Sequence, residues 1–440
     1  MRNYGGFRKL VPWWLWATWV LTAIAVMTSP ALATERLLTL AEAIELALAH
    51  SPAVAAAEAR LNGAAGRLAE AEAGFLPKLS LSGSYTRLDE VPTYGGMPIP
   101  GSSLDNYDLR LVLSQPLYTG GALAAGREAA RAGKETAEAQ REQARQEAAL
   151  AVAQAYYGLR TATELKEIAR LGLEAAESHA AQVKAAYDAG TVLRTDLLRV
   201  QLQVGNARQN LIKAEHGVAL ARESFLSLVG LEPGTAIRFP ELAPPPPLAE
   251  DLEVLVSAAL ARRPELVALR HSAEAARAGI AAAQAQRRPT VAPALVFNWQ
   301  GSEVGDLDQS WSFTVSASWN LFDAGAAAAR IDQAKAGLAE VEQTLRRVED
   351  GIRLEVRQAY QAVREAEEAI PVALANREQA RENLELVRLR YEAGLATPVE
   401  VTDAQVLLAQ ADTGYVQAIN DHLVALARLA KASGVPVGVN

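Results

Sequence analysis

The sequence predicts a mostly α-helical chain of long coiled-coil hairpins that carries four short strands of the membrane β-barrel type, and three observations predict it. A turn motif is written twice. Tyr187-Asp188-Ala189-Gly190, followed by Thr195-Asp196-Leu197 and Gln201, returns 204 residues later as Tyr391-Glu392-Ala393-Gly394, followed by Val399-Glu400-Val401 and Gln405. Long runs of Ala, Glu, Gln, Arg and Leu with few Gly or Pro are the composition of extended helices packed side by side. Four stretches alternate apolar and polar residues with a period of two, the pattern of half-buried strands.

In chain order, the first residues have the form of an export signal. Arg2, Arg8 and Lys9 are basic, Val11 to Met27 is apolar, and Ala31-Leu32-Ala33 is an A-x-A cleavage site, so 1–33 is expected to be removed. No other stretch is apolar for about 18 residues, so no further membrane helix is expected. The 440 residues contain no cysteine, which leaves no disulfide, lipidated thiol or thiolate metal site. Without the signal, 40 Lys+Arg face 51 Asp+Glu, a net charge of −11. Such a chain is a poor match for nucleic acid.

The rest divides into two repeats, 34–243 and 250–440, joined by a Pro-rich linker at 244–249. In the first repeat, Thr39-Leu40-Ala41-Glu42 is a capping box that opens a short helix. Ser51-Pro52 starts a second helix, and Pro77 stops it. A strand hairpin is predicted at about 78–117, with Leu79, Leu81 and Tyr85 on one face of its first strand and Leu109, Leu111 and Leu113 on one face of its second. Leu88 to Asn106, rich in Pro, Gly and Ser, is predicted as loop. No proline occurs from Gly120 to Tyr187, so one helix of roughly 100 Å is expected. After the tip at 187–196, a return helix from about Thr195 to Val229 carries Leu197, Val200, Val204, Ala207, Leu211, Ala214, Val218, Ala221, Phe225 and Leu228 at alternating spacings of 3 and 4, a heptad seam.

The second repeat follows the same plan. Arg263-Pro264 and Pro289 match Ser51-Pro52 and Pro77 at an offset of 212, and the strand pattern returns at about 290–320 in Val291, Leu295, Phe297 and Trp299, then in Trp311, Phe313, Val315 and Trp319. At the second tip, 391–400, Thr397-Pro398-Val399-Glu400 is a capping box with Pro at the first helical position. The two shorter helices of each repeat sum to about the length of the long one, so they are expected to stack end to end beside it. Each repeat then becomes two columns, with strands at one end and a turn at the other.

Strands of about ten residues with an apolar, aromatic-ended face and a Ser/Arg/Asn face fit a tilted outer-membrane barrel strand. The other reading is a soluble sheet packed on the helices. Four strands cannot close a barrel, because single-chain barrels start at about eight, so a membrane role requires an oligomer.

With these features the chain resembles the TolC family of outer-membrane efflux proteins over essentially its whole mature length. The resemblance rests on the duplicated plan, the strand hairpin after each proline-ended helix, and the two Y-x-x-G tips with their acidic followers. It implies a homotrimer whose twelve-stranded β-barrel sits in outer-membrane lipid of a Gram-negative bacterium and continues as a twelve-column α-barrel through the periplasm. It also implies the role of exit duct for a periplasmic adaptor (membrane fusion protein) and an inner-membrane RND or ABC-type pump, in tripartite efflux or type I secretion.

The resemblance further assigns residues. Glu400 and Asp403 fall where the family places acidic rings at the periplasmic mouth, and such rings attract cations and raise the pKa values of their own members. Glu400 is equally the capping-box residue, and Asp403 equally a residue of a solvated helix face. Tyr391, Asp196 and Thr195 match the closed-state latch. The family's basic residue after the turn is Ala396 here, which leaves Arg194 on the other tip as the substitute. Ala189, Gly190 and Thr191, with Ala393, Gly394 and Leu395, match the adaptor-docking tips.

His50, His179, His216, His271 and His422 are scattered over predicted helices without metal-ligand spacing. No metal site, cofactor or catalytic constellation is expected, and hence no enzyme. The competing function is a periplasmic coiled-coil scaffold or adaptor without a pore, which leaves the four amphipathic strands unused.

Overall fold

The structure, a computed structural model, describes residues 36–99, 102–240 and 248–437. The export signal and Pro244–Pro247 of the linker lie outside the described residues. The elements in order are β1 (Arg36–Leu37), α1 (Leu40–His50), α2 (Pro52–Ala73), β2 (Lys78–Arg87), β3 (Thr93–Tyr94), β4 (Met97–Pro98), β5 (Asp105–Ser114), α3 (Ala122–Asp188), α4 (Arg194–Val229), β6 (Ile237–Arg238), α5 (Leu252–Arg262), α6 (Pro264–Ala285), β7 (Thr290–Glu303), β8 (Asp306–Ser318), α7 (Ala326–Glu392) and α8 (Pro398–Ser433). Helices α1 to α4 have 11, 22, 67 and 36 residues, and α5 to α8 have the same four lengths again. The 88–106 segment is not all loop: β3 and β4 pair within it, turned by Gly95 and Gly96 at φ 61° and 84°, as a two-residue hairpin requires.

Local chemistry explains the helix ends. Thr39 N donates to Glu42 Oε2 at 2.9 Å while Glu42 N donates to Thr39 Oγ1 at 3.3 Å, closing the capping box of α1. Pro52 lacks the N–H that would carry α1 onward, and the axis turns by 52° into α2. Pro371 also removes one ladder bond, yet α7 runs through it unbroken.

Helix α3 packs against α2 and α4 and also against α6 and α8, and α7 packs against α6 and α8. Four columns result, in the order α2 with α4, α3, α6 with α8, and α7. The shorter helices do meet end to end. Gly230 at the end of α4 (φ 75°) lies so close to His50 that a Cβ there would stand 2.6 Å from the His50 Cβ, and Gly434 at the end of α8 abuts Arg262 in the same way. Helices α1 and α5 fold over these joints. Leu38, Ile44, Ala47, Val152, Tyr156 and Phe225 form one core there, and Leu255, Ala259, Val356, Val363 and Leu429 form the other. The heptad seam of α4 holds through Val200, Ala207, Val218 and Phe225, but in the last turn Leu228 is exposed and Leu226 and Val229 are buried. A strict 3.5-residue repeat drifts by about 20° per heptad on a straight helix, and at that point α1 supplies the apolar partner.

The strands form one antiparallel sheet in the order β2-β5-β7-β8, which is also the order of the columns they join. Register places Leu81, Leu111, Phe297 and Trp311 in one row and Leu79, Leu113, Leu295 and Phe313 in the next, all on one face. The opposite face carries Ser82, Arg110, Asn298 and Ser310, then Ser84, Asp108, Gln300 and Asp308. The helices leave the apolar face bare: Leu81 is 65%, Trp311 68% and Phe313 62% exposed. A soluble sheet would bury that face on the helices, so this reading fails. Strands β2 and β8 each keep one unpaired edge.

Candidate gate at the helical tips

Both long helices stop in the same way. Gly190 takes φ 76° and Gly394 φ 74°. Gly190 N donates to Tyr187 O at 2.9 Å and Thr191 N to Ala186 O at 2.9 Å, while Gly394 N donates to Tyr391 O at 3.0 Å and Leu395 N to Arg390 O at 2.7 Å. This is the Schellman arrangement, which satisfies the last carbonyls and requires a left-handed residue after the cap. No atom lies within 4 Å of a Cβ built on either glycine. The requirement is therefore one of backbone conformation alone. Ala189, Gly190, Thr191, Ala393, Gly394 and Leu395 are all exposed, beside an exposed Leu193.

The two return helices begin differently. At α8, Thr397 N and Oγ1 each lie 3.0 Å from Glu400 Oε1, and Glu400 N donates to Thr397 Oγ1 at 3.3 Å. Arg390 stands 3.7 Å from Glu400 Oε2 and donates to Leu395 O at 3.1 Å. The Thr397 backbone N–H and hydroxyl, with Arg390 adding, hold the Glu400 carboxyl below the usual carboxylate range. Within the protomer the groups nearest the Glu400 carboxylate are donors and a cation; the upward shift expected of a ring concerns carboxylates brought together from neighbouring copies. Helix α4 starts after Leu193, which offers no side-chain acceptor.

Asp196 is half-buried in the first turn of α4, and Asp403 is exposed in α8. Among the described residues, the side chains of Arg194, Thr195, Asp196 and Asp403 make no hydrogen bond or ion pair. The protomer thus does not bring Tyr391 and Asp196 together, and Arg194 meets no acid. Arg390 does reach an acid across the second tip, because the Schellman turn folds the end of α7 back against the first turn of α8, while at the first tip Lys184 pairs with Asp188 within α3 at 2.8 Å.

Tyr391 packs instead on His179, edge to face, with centroids 5.5 Å apart and planes at 75°. His179 belongs to α3 and is only 3% exposed. Its Nε2–H donates to the carbonyl oxygen of Pro398 at 2.9 Å. The carbonyl can only accept, which places the proton on Nε2. Burial pushes the His179 pKa down, the Pro398 carbonyl opposes this, and Arg388 lowers it further. Four residues before His179, Ala175 O accepts from Gln405 Nε2 at 3.3 Å. The long helix of the first repeat is therefore pinned to the opening turns of α8 in the second. Sequence reasoning left His179 as one packing histidine among five and did not single out Arg390. The available signal was a break in the repeat, since the position 204 residues after His179 is Asn383.

Two further ties brace the hairpins. Arg377 Nε meets Asp412 Oδ1 at 2.7 Å between α7 and α8, and Arg208 meets Glu177 at 2.8 Å between α4 and α3. The tips thus present exposed turns, a capped and partly neutralised carboxylate in Glu400, and carboxylates without a side-chain partner in the exposed Asp403 and the half-buried Asp196.

A family model described as outer membrane efflux protein matches residues 43–231 and 255–435. Protein CyaE of Bordetella pertussis is 29% identical over 378 residues, which cover 84% of this chain and 78% of that protein. Outer membrane protein OprJ of Pseudomonas aeruginosa is 28% identical over 355 residues, covering 76% and 69%. Among solved structures, the outer membrane protein VceC of Vibrio cholerae superposes with a TM-score of 0.79 over 90% of this chain and 96% of that one, at 23% identity. That likeness is one of fold.

Proposed function

Because the chain belongs to the outer membrane efflux protein family, we propose that it is the passive exit duct of a tripartite efflux or type I secretion system, gated at its helical tips. It is a TolC-like outer-membrane channel protein of a Gram-negative bacterium, in a family of channels rather than enzymes. The observation that carries the finer reading is the four-stranded sheet, whose apolar face is bare and whose two edges are unpaired, set on four columns in the same order. Pairing β8 of one copy with β2 of the next satisfies both edges. Three copies give twelve strands, within the range of membrane barrels, and twelve columns below them. The apolar rows then face lipid and the Ser, Asn, Gln and Asp rows face the lumen.

At the far end, Glu400 and Asp403 from three copies form the acidic mouth. Tyr391, Asp196, Thr195 and Arg194 form the latch between neighbouring protomers, with Arg390 as its second cation. Ala189, Gly190, Thr191, Ala393, Gly394 and Leu395 dock the periplasmic adaptor. Transport through this passive path is driven by an inner-membrane pump of the RND or ABC type. Cleavage after residue 33 releases the mature protein to the outer membrane.

Single-channel conductance of the mature protein in a planar bilayer tests this reading. The wild type should pass a small, cation-selective current, and the double variant Glu400→Ala, Asp403→Ala should pass a larger or less selective one. Equal currents would move the gate away from these residues. No current from either would restore the pore-less scaffold.

A further inference from the structure

Only the folded chain completes a possible ligand set around His271. His271 lies three residues before Glu274 on one face of α6, and Glu135 reaches it from α3, in the other repeat. His271 Nδ1 is 2.9 Å from Glu274 Oε2 and 3.1 Å from Glu135 Oε2. The three ligand atoms all lie within 4.8 Å of one another. Arg131 Nε holds the other oxygen of Glu135, Oε1, at 3.3 Å, which turns Oε2 towards the cluster. Beside it, Thr136 Oγ1 donates to Ala132 O of its own helix at 2.8 Å and lies 3.4 Å from Ala268 O of α6, which shows how closely the two helices approach there. The cluster opens on a surface cleft between α3 and α6, lined by Glu128, Arg131, Glu135, Glu274 and Arg277. Ions in solvent can reach it.

We propose that Glu135, His271 and Glu274 bind a first-row divalent transition metal, with zinc as the type, and that the bound ion staples the first repeat to the second. One imidazole with two carboxylates is a donor set that zinc accepts, whereas magnesium and calcium take oxygen ligands. Bonds of about 2.0–2.2 Å in a tetrahedral site place ligand atoms about 3.4 Å apart. The separations of 2.9 and 3.1 Å from His271 would open slightly, and the three ligand atoms, now within 4.8 Å of one another, would be drawn to that spacing by rotation of the Glu135 and Glu274 side chains, leaving one coordination position for water. The site lies roughly 20 Å along α3 from its start, on the barrel side of the protein, so it acts on the α3–α6 seam and not on the tips. The competing occupant is a proton on Nδ1, which would make the same three groups an ion-pair cluster.

The test uses the mature protein in detergent, stripped with EDTA and titrated with zinc chloride by calorimetry and thermal melting. Zinc should bind at one ion per chain and, at a hundredfold excess over its Kd, raise Tm by at least about 3 °C. His271→Gln and Glu274→Gln should each lose the shift, while His216→Gln keeps it. The side chain of Glu274 is 54% exposed, so that variant reports on binding even if His271→Gln folds poorly. Substituting cobalt should give visible ligand-field bands that disappear in His271→Gln. A zinc shift of equal size in wild type and both variants would overturn the site, as would an absence of zinc binding. A Tm loss in His271→Gln that is independent of metal would identify the proton-bridged ion pair in its place.

Discussion

Replacing His179 measures how firmly the two repeats are held together at the mouth. In His179→Phe the ring and its contact with Tyr391 survive, and only the Nε2 hydrogen bond to Pro398 O is lost. That carbonyl still accepts from Thr402 Oγ1 at 3.1 Å, so it is not orphaned and the cost is the net worth of one bond, about 1 kcal/mol. His179→Ala also removes the edge-to-face contact, worth about 0.5–1.5 kcal/mol, and leaves a cavity, for a total of roughly 2–4 kcal/mol.

The assay is amide hydrogen exchange of residues 186–198 and 390–402, where local opening sets the rate. At 1.4 kcal/mol per factor of ten, the Phe variant should exchange about fivefold faster and the Ala variant at least about 30-fold faster. The effect also depends on pH. Burial depresses the folded pKa of His179, so its contribution is complete above the unfolded value of about 6.5 and is lost as pH falls from there towards the folded pKa. Wild-type tips, corrected for intrinsic exchange, should therefore loosen below about pH 6.5, and His179→Phe should not follow. Exchange in His179→Ala within twofold of wild type would refute the pin.

Other outcomes follow from the same structure. A charge on the bare face of the sheet, Phe313→Arg, should cost about 2–4 kcal/mol near mid-membrane and deplete oligomer from the outer-membrane fraction, whereas Ser312→Arg on the opposite face should assemble and alter only ion selectivity. Gly394→Ala places a Cβ at φ 74° and should cost about 1 kcal/mol through strain alone, since no atom stands in its way; the loss should appear as faster exchange confined to the second tip. The depressed Glu400 pKa means that the capping interaction is present above the unfolded carboxyl pKa of about 4.3 and is lost as pH falls through the folded value. Glu400→Gln should flatten tip stability over that range, read by exchange at residues 390–402.

Most of the scaffold was legible because its determinants are local. The capping boxes at Thr39 and Thr397, the prolines at 52, 264 and 398, and the tip glycines act within a few residues of themselves, so the lengths and ends of the helices follow from spacing. Alternation also settled which face of each strand is apolar, since a one-residue slip would invert every side chain. The last turn of α4 escaped that logic, because Val229 is buried in a core shared with α1, an element about 180 residues away in the chain.

The site was less legible. The turn residues and the Glu400 cap could be read, but Arg390 reaches Glu400 only once the turn has closed, and His179 meets Pro398 across 219 residues. The sequence by itself determined two matched sets of helices, their caps and tips, and four strands with one apolar face. Only the tertiary structure decided which helix of one repeat touches which helix of the other, and so the His179–Pro398 pin and the Glu135–His271–Glu274 cluster. The physical reason is that pairing between columns depends on the rotational phase of helices about 100 Å long, and small departures from 3.5 or 3.6 residues per turn accumulate over that length into a different facing residue.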